Sequence, residues 1–161
     1  MTHRIWGAPT WCITVLLVMS ISLGHGYAQQ ERFDVKMTHP PEGGKVGKEV
    51  IVQGTAAIPN GHYLWVLARR IDFAPLWWPQ RPAPLEEPTT HKQKWQATAV
   101  FGGPQDVGWE FDVGVITVDK EGHRKLMEYW KTAMRTGDWR PIEIPPVTSP
   151  PRIVKVKKIS H

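Results

Sequence analysis

The sequence predicts a mainly β domain with a single α-helix, at about residues 120–135, inserted before the last strand. Two observations lead to this fold class. Short runs in which apolar and polar residues alternate are separated by turns rich in proline and glycine, which is the pattern of strands with one buried face. At Asp119 the apolar period changes from that of a strand to that of a helix. The length of 161 residues is that of one domain.

Residues 1–28 have the pattern of a secretory signal peptide. A weakly basic start is followed by a short apolar segment, centred on residues 13–23, and by small residues before a predicted cleavage after Ala28. The apolar run is shorter than the about 20 residues that a bilayer span needs, and an uncleaved anchor is the alternative. We therefore expect an exported protein, periplasmic or secreted, with residues 29–161 as its single domain and no stable membrane span after cleavage. The one cysteine, Cys12, lies in the removed segment.

We predict strands where runs of alternating apolar and polar residues end at proline, glycine or Asn-Gly turns. The predicted strands are residues 33–38, 49–54, 62–70, 94–101, 111–118 and 152–159. In the third of them, residues 63–68 are almost wholly apolar, which indicates a strand buried on both faces. We expect residues 81–90, with three prolines in ten positions, to form an extended loop. In the last strand the basic residues alternate with apolar ones, which predicts one solvated face for Arg152, Lys155, Lys157 and Lys158.

The helix has recognisable ends and one apolar face. Asp119 is suited to cap its first amides, and Gly137 is placed to end it. Between them, residues at helical spacing form the face that is predicted to point inward: His123, Leu126, Met127, Trp130 and Met134. We expect Leu126 and Trp130 to be its main packing groups, and His123 to be a packing residue and no metal ligand.

A resemblance supports the β prediction. The string VKMTHPPEGGKVGKEVIVQGTA resembles the opening of bacterial immunoglobulin-like domains of secreted and envelope proteins. The match rests on Val35, Met37, Pro40 or Pro41, Gly43, Val46, Val50, Val52, Gly54 and Thr55. Later stretches, LWVLAR, WWPQ and FDVGVITVD, resemble a group of exported bacterial domains with no established activity. The resemblance implies an immunoglobulin-like β-sandwich of about six to eight strands, and it implies no site residues.

The candidate site is the segment of residues 69–81, where the central strand ends. Its ligand-binding candidates are Arg69, Arg70, Trp77, Trp78, Gln80 and Arg81. Adjacent residues of an extended segment point to opposite sides, so one of the two tryptophans can be buried and the other exposed. An exposed indole gives a stacking surface, and a guanidinium fork binds carboxylates. The alternative for the arginines is a structural ion pair with Asp72, Asp112 or Glu110.

Other chemistries have little support in the sequence. The formal net charge of +5 is spread along the chain, apart from the basic tail, so we expect no nucleic-acid partner. No histidine pair or cysteine set has metal-ligand spacing, and no nucleophile motif or phosphate-binding glycine loop occurs. We therefore predict no metal site, no cofactor and no catalytic residue. Glu86 and Glu87, adjacent acidic residues in the proline-rich loop, are expected to be solvated.

These features predict an exported, non-catalytic binding or interaction module of the bacterial envelope. Its partner is expected to be a glycan or an envelope protein, bound through residues 69–81. One alternative is a structural or assembly subunit of an envelope complex. The other is a small enzyme that uses Asp112 or Glu110 beside Arg70.

Overall fold

A computed structural model of the chain describes residues 33–85 and 91–161. The signal peptide predicted for residues 1–28, and the acidic pair Glu86 and Glu87, lie outside these residues. The described strands are β1 (Asp34–His39), β2 (Gly44–Val46), β3 (Glu49–Ala57), β4 (Tyr63–Arg70), β5 (Trp78–Pro82), β6 (Gln93–Val100), β7 (Glu110–Val118) and β8 (Arg152–Lys158). The helix α1 (Lys120–Thr136) lies between the last two strands, which confirms a mainly β fold with a helix before the final strand.

The strands form two sheets. One has the order β1-β3-β6, and the other has the order β2-β8-β7-β4-β5. All neighbours are antiparallel except β2, which runs parallel to β8. The main core lies between the sheets, where Val52 and Trp95 of the first pack in one cluster with Val66 and Val113 of the second. The chain crosses from one sheet to the other after β1, β2, β3, β5 and β6.

A second apolar layer covers the outer face of the five-stranded sheet. Trp65 and Leu67 of β4 pack there with Leu126 of the helix and with Trp77. The alternate residues of β4 face the first core, so residues 64–68 are all buried. The prediction of a central strand buried on both faces is therefore confirmed. The outer layer is completed by residues 142–147, which follow the helix.

Both predicted helix caps are present. The Asp119 side chain accepts a hydrogen bond from the amide of Gly122 at 2.7 Å, and Gly137 ends the helix with φ of 74°. At Gly122 the helix passes so close to β7 that an added Cβ would lie 2.8 Å from the Cβ of Val118. The expected inward face is only partly correct, because Met134 is 57% exposed. Met134 lies near the end of the helix and lines an open cleft beside the edge strand β5.

Two expectations about strands need correction. Residues 81–90 were expected to form a loop, but Arg81 and Pro82 belong to β5. Prolines are tolerated there because β5 is an edge strand, whose outer side needs no amide donors. The solvated basic face predicted for the last strand is wrong at Lys158, which is fully buried. Strand alternation places Lys158 on the same inward face as Val156, whereas Lys157 is exposed.

The buried ammonium group of Lys158 has its own set of acceptors. Its Nζ donates to the carbonyl oxygens of Phe101 and Gly103, both at 2.5 Å, and to that of Gly102 at 3.3 Å. These oxygens replace the water that the charge would otherwise bind. Lys158 therefore fixes the turn that follows β6.

Candidate functional site

Arg69 lies on the helix side of the five-stranded sheet and is held by a neighbouring strand. It pairs with Asp112 of β7 in the strand register, and its Nε donates to Asp112 Oδ2 at 3.1 Å. Its guanidinium stacks 4.2 Å from the ring centre of Trp77. Both the charge and one face of Arg69 are therefore used within the fold.

Trp77 is a packing residue. It is 6% exposed, and its backbone forms two hydrogen bonds of 2.8 Å with Ile142 in an isolated antiparallel bridge. Its ring lies against Gly114, where an added Cβ would come within 3.1 Å of the indole. The predicted division of the two tryptophans is present: Trp77 is buried, and Trp78 is half-exposed.

Arg70 points to the opposite side of the sheet and is paired with two carboxylates. Its Nε and Nη2 donate to Asp72 at 2.7 and 2.8 Å, and its Nη1 donates to Asp106. The guanidinium lies between the rings of Phe73 and Trp109, at 4.8 and 4.6 Å from their centres. The hydrogen bonds that Asp72 and Asp106 accept from its guanidinium raise the pKa of Arg70, and the same hydrogen bonds from Arg70 lower the pKa of Asp72. This arginine is therefore already neutralised.

Asp106 is buried and connects Arg70 to the turn that Lys158 holds. Its Oδ2 accepts a hydrogen bond from the amide of Gly103 at 2.8 Å. Gly102 has a φ of 55°, and a Cβ there would lie 2.0 Å from Asp106 Oδ2. The turn thus needs glycine both for its backbone conformation and for the close approach of the carboxylate.

A cleft of about 860 Å³ opens along β5. Its floor includes Trp78 and Gln80, and one wall is formed by the end of the helix and by Trp139. The opposite wall comes from the open edge of β6 and includes Val100. We call this feature the aromatic cleft, because indole rings of Trp78, Trp130 and Trp139 line it.

Trp139 is held at the cleft by the segment that follows the helix. Its backbone carbonyl accepts a hydrogen bond from the indole nitrogen of Trp78 at 2.6 Å. The Tyr129 hydroxyl donates to the carbonyl of Arg140 at 3.0 Å, and burial, with the charge of Asp138, raises the pKa of Tyr129 to about 12. The hydrogen bond from the Tyr129 hydroxyl attaches the segment to the helix. Trp139 as a residue is 42% exposed.

Gln80 joins the edges of the two sheets. Its Nε2 donates to the carbonyl of Trp78 at 3.1 Å, and its Oε1 accepts from the amide of Val100 at 2.9 Å. Val100 belongs to β6, so the glutamine side chain bridges β5 and β6 at the cleft floor. Both ends of the amide are engaged, and this fixes the floor.

Arg81 differs from the other two arginines of the candidate segment. It is exposed, and its guanidinium lies 5.7 Å from the ring centre of Trp130. That distance is near the outer limit of a cation–π contact. Within residues 33–85 and 91–161, no carboxylate forms an ion pair with it. Arg81 is therefore a weakly held cation on the cleft wall.

The cleft contains four of the six candidate residues: Arg70, Trp78, Gln80 and Arg81. Arg69 and Trp77 lie outside it and pack beneath the helix side. Sequence reasoning missed two of its aromatic groups, Trp130 and Trp139. Trp130 was assigned to helix packing alone. Trp139 stands between Asp138 and Arg140 in a polar stretch. An isolated tryptophan in such a stretch is the sequence signal that could have identified it as a site residue.

Neither carboxylate of the enzyme alternative lines the cleft. Asp112 is engaged by Arg69, and Glu110 is exposed on β7. In the described part of the chain, no group of three or more histidine, cysteine, aspartate or glutamate side chains is arranged to hold a metal ion. His123 accepts a hydrogen bond from Trp65 and stacks on Tyr63 at 3.8 Å.

The chain matches no protein-family model, and a search of curated proteins gave no significant match. Among the described helices, none has the length and apolar character required to cross a bilayer.

Proposed function

We propose that this protein is an exported, non-catalytic binding module that holds a glycan in the aromatic cleft. The observation that carries the proposal is the convergence of three tryptophans, Trp78, Trp130 and Trp139, around the polar side chains of Gln80 and Arg81. Sugar rings have apolar faces that stack on indoles and hydroxyl groups at their edges that need hydrogen-bonding partners. The cleft offers both kinds of group within one concave surface.

The size and the character of the cleft support a binding role. Its volume of about 860 Å³ lies within the range of small-molecule sites, which are mostly apolar with a few placed polar groups. Trp139 is 42% exposed although its backbone is held by Trp78. An indole that is fixed in place but left open to solvent gives a stacking surface at low entropic cost.

The scaffold we propose is an immunoglobulin-like β-sandwich. The neighbours β8-β7-β4-β5 correspond to strands G, F, C and C′ of that fold, and the pair β3 and β6 corresponds to B and E. The chain departs from the pattern in two ways: a helix lies between the F and G positions, and no strand is described between β5 and β6. The resemblance of the amino-terminal stretch of the domain supports the same assignment.

Export is proposed from the composition of residues 1–28, which have a weakly basic start, a short apolar run and small residues before Ala28. Amino-terminal sequencing of the protein recovered from a bacterial host tests it. A mature chain that begins at Gln29 is the expected result. An intact amino terminus in the membrane fraction would favour the uncleaved anchor.

The binding proposal is tested by titrating the protein with soluble cell-wall glycans and following tryptophan fluorescence and binding heat. Trp139→Ala is expected to weaken binding by about three- to tenfold, because one stacking surface is lost. Trp109→Ala is the matched control, since Trp109 is also 42% exposed but does not line the cleft. No response in the wild type, or an equal loss in both variants, would contradict the proposal.

A protein partner is the second candidate, and one observation favours it. Ile51 and Val100 are 54% and 43% exposed on the adjacent strands β3 and β6 of the three-stranded sheet. Apolar side chains grouped on a surface are typical of contact sites. Light scattering that shows a single monomeric species, with no change in the Ile51→Lys variant, would count against self-assembly through this face.

A further inference from the structure

We infer that the aromatic cleft selects a saccharide that carries a carboxylate, and that Arg81 is the residue that binds this group. The inference rests on the proposed glycan-binding function and names the class of glycan. It depends on a difference between the arginines of the candidate segment, which their contacts establish.

Within the described ranges, the arginines of the candidate segment differ in how their charges are compensated. Arg69 is paired with Asp112 outside the cleft, and Arg70 is paired with both Asp72 and Asp106. Arg81 has no carboxylate partner in the described ranges, and its contact with Trp130 is long. A guanidinium binds a carboxylate through two parallel hydrogen bonds, which makes it selective for a planar anion.

The position of Arg81 suits an anion on a stacked sugar. It lies on the cleft wall, where its guanidinium is 5.7 Å from the ring centre of Trp130. A sugar ring that stacks on the neighbouring indoles would bring a ring substituent to the edge where Arg81 lies. The guanidinium is exposed, and an anion that binds it breaks no ion pair within residues 33–85 and 91–161.

The remaining charges of the cleft argue against a polyanion. Glu49 also lines it and is acidic, whereas the buried Asp106 is paired with Arg70. The Glu49 carboxylate repels dense negative charge but can accept hydrogen bonds from sugar hydroxyls. The charge pattern therefore fits a glycan with isolated carboxylates and many hydroxyls, and it does not fit a highly sulfated chain.

The test uses tetragalacturonate and its fully methyl-esterified form, which share one saccharide backbone and differ in charge. Isothermal titration of the full mature protein is expected to give at least tenfold tighter binding of the acid than of the ester. Arg81→Gln should remove this preference while leaving ester binding unchanged. Arg135→Gln is the matched control, because Arg135 is exposed, loses the same charge and does not line the cleft.

The outcomes separate the two proposals. Equal affinity for acid and ester, or a preference that survives Arg81→Gln, overturns the role of Arg81 and leaves glycan binding intact. A heparin tetrasaccharide that binds more tightly than the acid, with an equal loss in Arg135→Gln, indicates general charge attraction and also overturns it. If neither form binds and chitotetraose gives no signal, the glycan-binding function itself fails.

Discussion

The indole nitrogen of Trp65 donates a hydrogen bond to Nδ1 of His123 at 3.1 Å, and this bond joins the buried strand β4 to the helix. The Tyr63 ring stacks on the same imidazole at 3.8 Å. Since Nδ1 accepts this hydrogen bond, the imidazole is neutral with its proton on Nε2. The helix is thus attached to the sheet by a histidine that must stay uncharged.

This arrangement predicts a loss of stability in mild acid. Burial lowers the pKa of His123 in the folded protein below its ordinary value of 6.5. The unfolded chain then binds the proton at a higher pH than the folded one, so the free energy of unfolding falls as the pH drops from about 6.5 towards the folded pKa. Above that window this histidine contributes no pH dependence.

Urea unfolding of the wild type and of His123→Gln between pH 7.5 and pH 5 measures this effect. Glutamine keeps an acceptor for Trp65 but cannot titrate in this range. The difference in unfolding free energy between the two proteins should not change with pH above neutrality. Below neutral pH, the wild type should lose stability relative to the variant. If the unfolding free energies of both proteins change with pH in the same way, His123 does not titrate differently in the folded and unfolded states.

Replacement of Lys158 is expected to destabilise the fold. In Lys158→Met the three carbonyl oxygens of residues 101–103 lose their shared charged donor, which should cost about 2–3 kcal/mol of unfolding free energy. Lys157→Met is the matched control, because Lys157 is the exposed neighbour on the same strand and should change stability by less than about 0.5 kcal/mol. Urea denaturation measures the unfolding free energy of both variants. An equal loss in the two would refute a special role for the buried ammonium.

The elements that sequence predicted correctly are those that local rules determine. The apolar run of β4 predicted burial on both faces, and the Asp119 and Gly137 caps predicted the helix, because these signals lie within the element itself. Alternation also indicated that one of Trp77 and Trp78 can be buried and the other exposed. Which of them is buried depends on the bridge to Ile142, about 65 residues away in the chain, and no local pattern contains that pairing.

The candidate site was found only in part for the same reason. Trp139 reaches the cleft because its carbonyl accepts a hydrogen bond from Trp78, a contact between distant segments. Lys158 was grouped with the solvated basic residues because of its residue type, yet it shares the inward face of Val156. The carbonyl groups that make its burial tolerable come from a separate turn, so the residue type was the wrong guide.

Trp77 and Trp139 should differ strongly in their effect on stability. Trp77→Ala removes a 6% exposed ring from the layer beneath the helix, together with its contact to Arg69, and should cost about 3–5 kcal/mol. Trp139→Ala removes a 42% exposed ring and should cost less than about 1 kcal/mol. Urea denaturation of both variants measures the contrast. A similar cost for both would mean that the Trp139 ring is part of the core.

The bridge that Gln80 makes between the two sheets should be detectable at a single amide. Gln80→Met keeps the side-chain length but removes the acceptor of the Val100 amide, so hydrogen exchange at Val100 should become faster. The loss of the two hydrogen bonds of Gln80 should reduce the unfolding free energy by about 1 kcal/mol. Gln96→Met is the control, because Gln96 is an exposed glutamine on the same strand as Val100. If exchange at Val100 is unchanged in Gln80→Met, the side chain does not close the gap between β5 and β6 in solution, and the cleft floor is held by β5 alone.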